Sequence, residues 1–533
     1  MTLEPDIPYN QENDFYWAAT LLPNQLAVVG SSFAFNVVSL RTGQVVRQLR
    51  GHTGGVTAIA ASPDERYLVS ASDDQTIRIW DPNRSEPLLS LFFAGDEWIA
   101  WTPEGYYAAS PGGERLMGWH VNTAQDKIAD FYPAAQFRKE FYRPEAIKAL
   151  LSTGSIQRAL ASTGSTQAVA SVDTNLPPEV QIISPLPETR TTEQELAVVV
   201  EARQRGDEPL KTLQLLLNGR PLRGEAGTVR LEDAGAVVRH TFKVPVISGV
   251  QHTLQARADS TGSYGVSETV TVTTVDHVPD GHTPSLYVLA IGVSDYDDED
   301  LQLTFADDDA ERIAQTFKSQ GVGLFKKVET RLLKDKQATR QGILEGLVWL
   351  RKEMTAQDVG VVFFSGHGER DETTSFYLLP CDVDKASPLL LSGVPESIIK
   401  DVVQGIPGRL IVMLDACHAG TLTGDRRKAA RSLTDDFTRD LATDDYGVVV
   451  MASSMGREFS IENSAAGGGV FTMAIVEGLQ GKADYNGDNH VYFNELETYV
   501  CERVKELSNG RQHPAISKPG TIRSFPLSRA SQE

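Results

Sequence analysis

Val361-Val362-Phe363-Phe364-Ser365-Gly366-His367-Gly368 and Leu410-Ile411-Val412-Met413-Leu414-Asp415-Ala416-Cys417-His418-Ala419-Gly420 decide the fold of this chain. Each holds a short unbroken apolar run stopped by glycine or a reactive side chain, the pattern of a strand buried on both faces of a parallel sheet. In such sheets ligands collect just beyond the strand C-termini. If the two strands are neighbours, His367 and Cys417 face each other across that crevice. A thiol is little ionised at neutral pH, and a nearby imidazole both activates it and returns the proton to a leaving amine. The pair has the chemistry of a cysteine-protease dyad.

Composition bounds the rest. A chain of 533 residues exceeds a single core and predicts roughly three or four domains. Its 50 Lys and Arg against 71 Asp and Glu give a formal charge of −21, which excludes nucleic acid and anionic membrane as default partners and favours basic substrates. Cys381, Cys417 and Cys501 are too few for a disulfide framework, so a reducing compartment is expected. Residues 1–10 lack the basic and apolar regions of a signal peptide, and no run of about 18 apolar residues could span a membrane. The expected location is cytoplasmic.

Upstream of the dyad the chain changes regime three times. Gly51-His52, followed by Tyr67 to Asp74 and closed by Trp80-Asp81, resembles a WD repeat. The resemblance implies a buried hydrogen-bonded set of His52, Ser72, Asp74 and Trp80. Weaker copies end at Leu40-Arg41-Thr42-Gly43 and run from Trp98 to Trp119-His120, so residues 1–121 read as a partial propeller of about three blades, fewer than the roughly four that close one. Residues 122–176 read as a helical connector, including Phe137 to Leu151, with Ser152 to Ser171 as a flexible linker. Residues 177–277 alternate as strands (Leu196 to Val200, Leu213 to Leu217, Val237 to Val246, His252 to Ala258, Ser267 to Val275) between turns such as Asn218-Gly219. That pattern suggests an immunoglobulin-like β-sandwich without a cysteine pair.

Residues 283–533 alternate strands (Leu286 to Val293, Val359 to Phe364, Leu410 to Leu414, Val448 to Ala452) with helices (Asp307 to Ser319, Thr339 to Met354, Val470 to Leu479). This order implies a three-layer α/β domain. Ser365-Gly366-His367-Gly368, followed fifty residues on by Asp415-Ala416-Cys417-His418-Ala419-Gly420, resembles the caspase-like clan, and within it the metacaspases and bacterial caspase homologues. Phe376 to Pro380 and Gly469-Val470-Phe471-Thr472 extend the likeness.

The resemblance implies Cys417 as nucleophile, His367 as general base and then acid, and the N–H groups of Gly368 and Cys417 as oxyanion donors. His418 is expected to be structural. Asp415 and Asp309, the latter within Ala306-Asp307-Asp308-Asp309-Ala310, resemble the acids that line the primary pocket of metacaspases and bind an Arg or Lys side chain. Helix capping is the competing reading of the Asp triplet, with Asp307 or Asp308 as cap and Asp309 facing the pocket.

Arg426 to Arg431 is either a self-cleavage site or a solvated loop. Asp484, Asn486, Asp488 and Glu495 fall at positions 1, 3, 5 and 12 of an EF-hand-like loop, with Asn489 where Gly is usual; the alternatives are a calcium site and an Asx-rich turn without metal. Asp382 and Asp425 lie near the calcium positions of metacaspases, but the acid pair expected around residues 397–399 is missing. The dyad requires no cofactor. The reading is therefore a cysteine endopeptidase cutting protein or peptide after Arg or Lys, with a protein partner at the WD-repeat region. The alternative is a catalytically inactive caspase-like scaffold or protein-interaction module.

Overall fold

The structure, a computed structural model, describes residues 18–22, 25–30, 34–95, 97–110, 112–122, 128–164, 169–193, 195–222, 227–231, 235–246, 251–275, 283–371, 375–384, 386–418, 437, 440–441, 446–454, 460–463, 467–519 and 522–530, with backbone only at 417, 418, 462 and 463. The chain divides into two compact units, residues 1–178 with 204–211 and 259–265, and residues 179–203, 212–258 and 266–533.

In the first unit Ala18–Leu22, Leu26–Gly30, Ala34–Ser39 and Val45–Arg50 form an antiparallel sheet in chain order. Val56–Ala61, Leu68–Ser72, Thr76–Trp80 and Leu89–Ala94 form the next, which Glu97–Trp101 and Tyr107–Ala109 extend to six strands. The stretch from Trp98, expected as a third repeat, thus prolongs the second sheet: Leu89–Ala94 offers an open edge, and Glu97–Trp101 pairs along it from Ser90↔Trp101 to Ala94↔Glu97. Val28, Phe35, Val37 and Leu49 of the first sheet pack on Val56, Leu68 and Trp80 of the second.

A buried proton chain ties the second sheet together. The Trp80 indole N–H donates to the Ser70 hydroxyl at 2.8 Å, Ser70 Oγ lies 2.8 Å from His52 Nε2, and His52 Nδ1 lies 2.8 Å from Asp74 Oδ2. Ser70 takes the place expected for Ser72. Ser72 lies at the end of its strand, past the last pair Ala71↔Ile77, and its hydroxyl accepts the Asp74 N–H in the turn. Burial pushes His52 below its ordinary pKa. Burial opposes ionisation of Asp74 but is outweighed by hydrogen bonds from Thr76, His52 and the Thr53 N–H, which hold the carboxyl well below the usual range.

The expected linker from Ser152 contains a helix, Ile156–Ser162, behind Pro144–Thr153. Ser155 caps it, and Ile156, Ala159 and Leu160 recur at helical spacing and are buried, so serine and alanine content misled where periodicity would not.

In the second unit residues 179–275 carry a three-stranded sheet, Glu179–Ser184, Glu195–Arg203 and Val237–Pro245, and a seven-stranded one that includes Thr212–Leu217, Gln251–Asp259 and Val270–Thr274. Alternate residues are buried in both, among them Val198, Val200, Phe242, Val244, Leu213, Leu215, Leu254 and Val272. In the seven-stranded sheet Leu216 and Arg257, on the opposite face, are buried as well.

The remaining sheet runs in the order Val328–Lys334, Leu286–Gly292, Val359–Arg370, Arg409–His418, Val448–Ala452 and Ala515–Ser517. Along this order neighbours are parallel except in the last pair, and Phe376–Leu378 joins off it, antiparallel to the end of Val359–Arg370. Leu289, Ile291, Val362, Phe364, Val412 and Leu414 pack with helices Arg340–Glu353 and Glu396–Gln404. Their neighbours in sequence, Val288, Ala290, Val361, Phe363, Ile411 and Met413, pack with helices Ala306–Gln320, Val470–Glu477 and Phe493–Leu507. Burying each such side chain contributes about 1.5–3 kcal/mol, which is why the central strands read as unbroken apolar runs. No helix among the described residues is long and apolar enough to cross a membrane.

Asp74→Ala should destabilise the first unit by about 1–3 kcal/mol at neutral pH, read by urea denaturation followed through tryptophan fluorescence. Because the Asp74 pKa is depressed on folding, its contribution is present above the unfolded value of 3.8 and is lost as the pH falls from there, so parent and variant should converge in acid.

Candidate active site

The strands Val359–Arg370 and Arg409–His418 pair in register from Val359↔Arg409 to Gly368↔His418, which sets His367 directly opposite Cys417. The His367 strand continues past its apolar run, and Gly368 to Arg370 turn to pair with Phe376–Leu378. A Cβ on Gly368 would lie 2.7 Å from the Phe376 ring, and one on Gly366 2.8 Å from Tyr296 Oη, so both positions need glycine for close approach.

His367 is buried and held on two sides. Its Nε2 lies 3.0 Å from the Leu301 carbonyl oxygen. A carbonyl only accepts, so Nε2 carries the proton and in the neutral ring Nδ1 holds the lone pair. The backbone N–H of His367 donates to Tyr296 Oη at 2.8 Å, and the two rings lie 5.3 Å apart. Leu301 closes the short turn Glu299–Leu301, which Asp298 caps by accepting the Asp300 N–H. Tyr296 and this turn follow Leu286–Gly292, the strand beside that of His367. The side chains of Cys417 and His418 lie outside what the structure describes. The remaining cysteines differ in kind: Cys381 is buried, which pushes its thiol up to about 11, and Cys501 is partly exposed.

Asp309 and Asp415 meet. Both are buried, at 2 % and 3 % exposure. Asp415 continues the sheet face of Ile411 and Met413, which helix Ala306–Gln320 covers, and Asp309 lies in the first turn of that helix. A Cβ on Gly469 would lie 2.7 Å from Asp415 Oδ2 and 2.8 Å from Asp309 Oδ2. Buried carboxylates need donors. Asp309 Oδ2 accepts the Gly469 N–H at 2.9 Å, Asp415 Oδ2 accepts the Thr472 hydroxyl at 3.0 Å, and Asp415 Oδ1 accepts that of Ser460. The N-terminus of helix Val470–Glu477 adds its dipole to these bonds. Arg312 stands one turn along, its Nη1 3.9 Å from Asp309 Oδ1 and its Nη2 donating to the Gly467 carbonyl.

Neither Asp307 nor Asp308 caps the helix. The N-cap is Phe305, without a side-chain bond; the Ser294 hydroxyl takes the Asp307 N–H, and Lys334 pairs with Asp307, Asp308 and Glu311. Tyr296, Leu301, Ser460, Gly469, Thr472 and Arg312 were not singled out from sequence as site residues. Gly469 and Thr472 stand in a stretch that carried the family likeness, so a role was there to be asked for.

Asp484, Asn486, Asp488 and Glu495 lie in and after one turn. Asp484 accepts the N–H groups of Gly487 and Asn489, Asn486 that of Asp488, Asp488 that of His490, and Glu495 that of Tyr492 as part of a capping box. Asn489 has φ 63°, the left-handed conformation asparagine tolerates. Among the described residues no group of three or more His, Cys, Asp or Glu side chains is placed to hold a metal ion. Asp382 accepts the Arg340 N–H at the start of helix Arg340–Glu353. Asp425 and the run Arg426 to Arg431 lie outside the described residues.

Residues 286–526 match the family model described as Caspase domain, and residues 43–81 that described as WD domain, G-beta repeat. The chain thus carries a caspase domain behind a WD repeat. Its N-terminal region is similar to the nuclear distribution protein PAC1 of Arthroderma otae, 39% identical over 113 residues, which are 20% of this chain and 24% of that protein. The polycomb protein EED of Chaetomium thermophilum is 30% identical over 112 residues, 19% of this chain and 20% of its own. The chain thus spans about a quarter or less of these relatives. Protein GSU0716 from Geobacter sulfurreducens, a solved structure, is 16% identical with a TM-score of 0.35 over 46% of this chain and 100% of its own, a likeness too slight to carry an argument.

Cys381 should resist iodoacetamide at pH 7 in the folded protein and react only after denaturation, as read by mass spectrometry of the digested chain, because its raised pKa leaves almost no thiolate.

Proposed function

We propose that the chain is a caspase-like cysteine endopeptidase with a His367/Cys417 dyad that cuts after Arg or Lys. The observation that carries the reading is the pairing of His367 with Cys417 in a parallel register, with His367 Nε2 bound to the Leu301 carbonyl. The Cys417 thiol gives its proton to Nδ1 and its sulfur attacks the scissile carbonyl. The imidazolium then protonates the leaving amine, and water hydrolyses the acyl-enzyme. The N–H groups of Gly368 and Cys417 receive the oxyanion. Asp309 and Asp415 receive the substrate cation, supported by their convergence on Gly469. An inactive scaffold would have no need for the tautomer that the Leu301 carbonyl imposes.

The same proposal reads 283–533 as a three-layer α/β peptidase domain of metacaspase character, 177–277 as an immunoglobulin-like sandwich, and 1–121 as a partial propeller that receives a protein partner. It places the protein in the cytoplasm. The dyad needs no cofactor. Calcium at the loop of Asp484 to Glu495 is a separate proposal, outside the reaction, because its side-chain oxygens already accept backbone N–H groups.

Fluorogenic peptides ending in Arg, Lys and Asp test the reading. Turnover should follow Arg and Lys, persist in chelator, and vanish in Cys417→Ala; preference for Asp would sink the specificity, and activity in the variant the nucleophile. Gly469→Ala puts a methyl between the two acids and should raise KM for Arg substrates about tenfold or more, the cost of roughly 1.4 kcal/mol or above in overpacking.

A further inference from the structure

The acid pair comes with a cation of its own. Arg312 lies one helical turn after Asp309, about a third exposed, with Nη1 3.9 Å from Asp309 Oδ1. Its Nη2 donates to the carbonyl of Gly467, and a Cβ on Gly468 would lie 2.3 Å from Nη1, so the guanidinium lies against the glycine segment that leads to Gly469. That segment also delivers the Gly469 N–H to Asp309 Oδ2. Arg312 therefore lies against both the glycine segment and one of the two acids. It stands beside Asp309, while Asp415 accepts the neutral hydroxyls of Ser460 and Thr472.

We propose that Arg312 is the built-in counter-cation of the pocket: it shares Asp309 with the incoming substrate cation and so limits and tunes affinity for basic side chains. The proposal rests on the reading of Asp309 and Asp415 as the site for that cation. Two carboxylates alone would present a charge of −2 to a single guanidinium or ammonium. With Arg312 beside them the three side chains, with both acids ionised, sum to −1, which one substrate cation neutralises. The same proximity makes Arg312 a competitor. A substrate cation bound between the acids meets a like charge at the rim, and that repulsion is screened by salt because Arg312 reaches solvent. The anchor on Gly467 lets the guanidinium cede Asp309 without leaving the rim.

The test uses the full chain carrying Cys417→Ala, so that an acetyl-tripeptide arginine amide binds without any covalent step, with Kd measured by calorimetry at low salt and near 1 M salt. Arg312→Gln keeps a donor for the Gly467 carbonyl and removes the charge; it should tighten binding about three- to fivefold at low salt, with the gain gone near 1 M, where the Debye length is about 3 Å. Arg312→Lys keeps the charge and should hold Kd within about twofold; Arg312→Met removes the charge and takes the place of the Gln variant, with the same expected gain, if that one fails to fold. Binding that is unchanged or weaker in Arg312→Gln, or equally altered in Arg312→Lys, overturns the counter-cation and leaves Arg312 a clamp on the glycine segment, with the acid pocket intact. Binding by none of these chains, or binding that Asp415→Asn leaves undiminished, overturns the pocket reading and this proposal with it.

Discussion

One register governs the second unit. Val359–Arg370 and Arg409–His418 pair as parallel strands over ten residues, and a slip of one would turn every side chain of one strand to the opposite face. Such a slip would exchange the side chains that pack against the two layers of helices and break the fit of both cores. It would also part position 367 from position 417. The apolar runs that bury the sheet are thus what fixes the meeting of two reactive residues. The geometry of the proposed dyad follows from core packing, refined by glycines where the backbone must pass close to Tyr296 and Phe376.

The second constraint is electrostatic. Two carboxylates at nearly zero exposure would be costly without donors, since desolvation of an ion exceeds most pairwise attractions. The fold supplies them from three segments: the Ser460 hydroxyl, the Gly469 N–H and Thr472 at the start of a helix, and Arg312 one turn after Asp309. Every one of these belongs to an element packed on the Ile411 and Met413 face or leading into it. The same economy appears in the first unit, where Trp80, Ser70, His52 and Asp74 hand hydrogen bonds along one line through the sheet.

The central strands were legible because parallel strands buried on both faces leave an unbroken apolar signature; His367 and Cys417 stand at the ends of two of them, and Asp309 and Asp415 came from the family likeness alone. Val328–Lys334 was not singled out: as an edge strand it mixes charges with apolar residues and has no periodicity to catch. Tyr296, Leu301 and Ser460 act across tens of residues of sequence, Leu301 through its carbonyl alone, and a backbone group leaves no mark in a sequence. The family likeness implies Ser72, whereas Ser70, two residues earlier, bonds His52 and Trp80, an offset that spacing alone cannot resolve. The helix Ile156–Ser162 was hidden by its small polar residues although its apolar positions were in place.

Labelling the folded full chain with an arginyl chloromethyl ketone and mapping the adduct by mass spectrometry tests the central claim most directly. The account predicts one adduct per chain, on Cys417, lost in His367→Ala and absent from Cys381 and Cys501. Modification of another cysteine, or labelling of Cys417 that does not depend on His367, would contradict it.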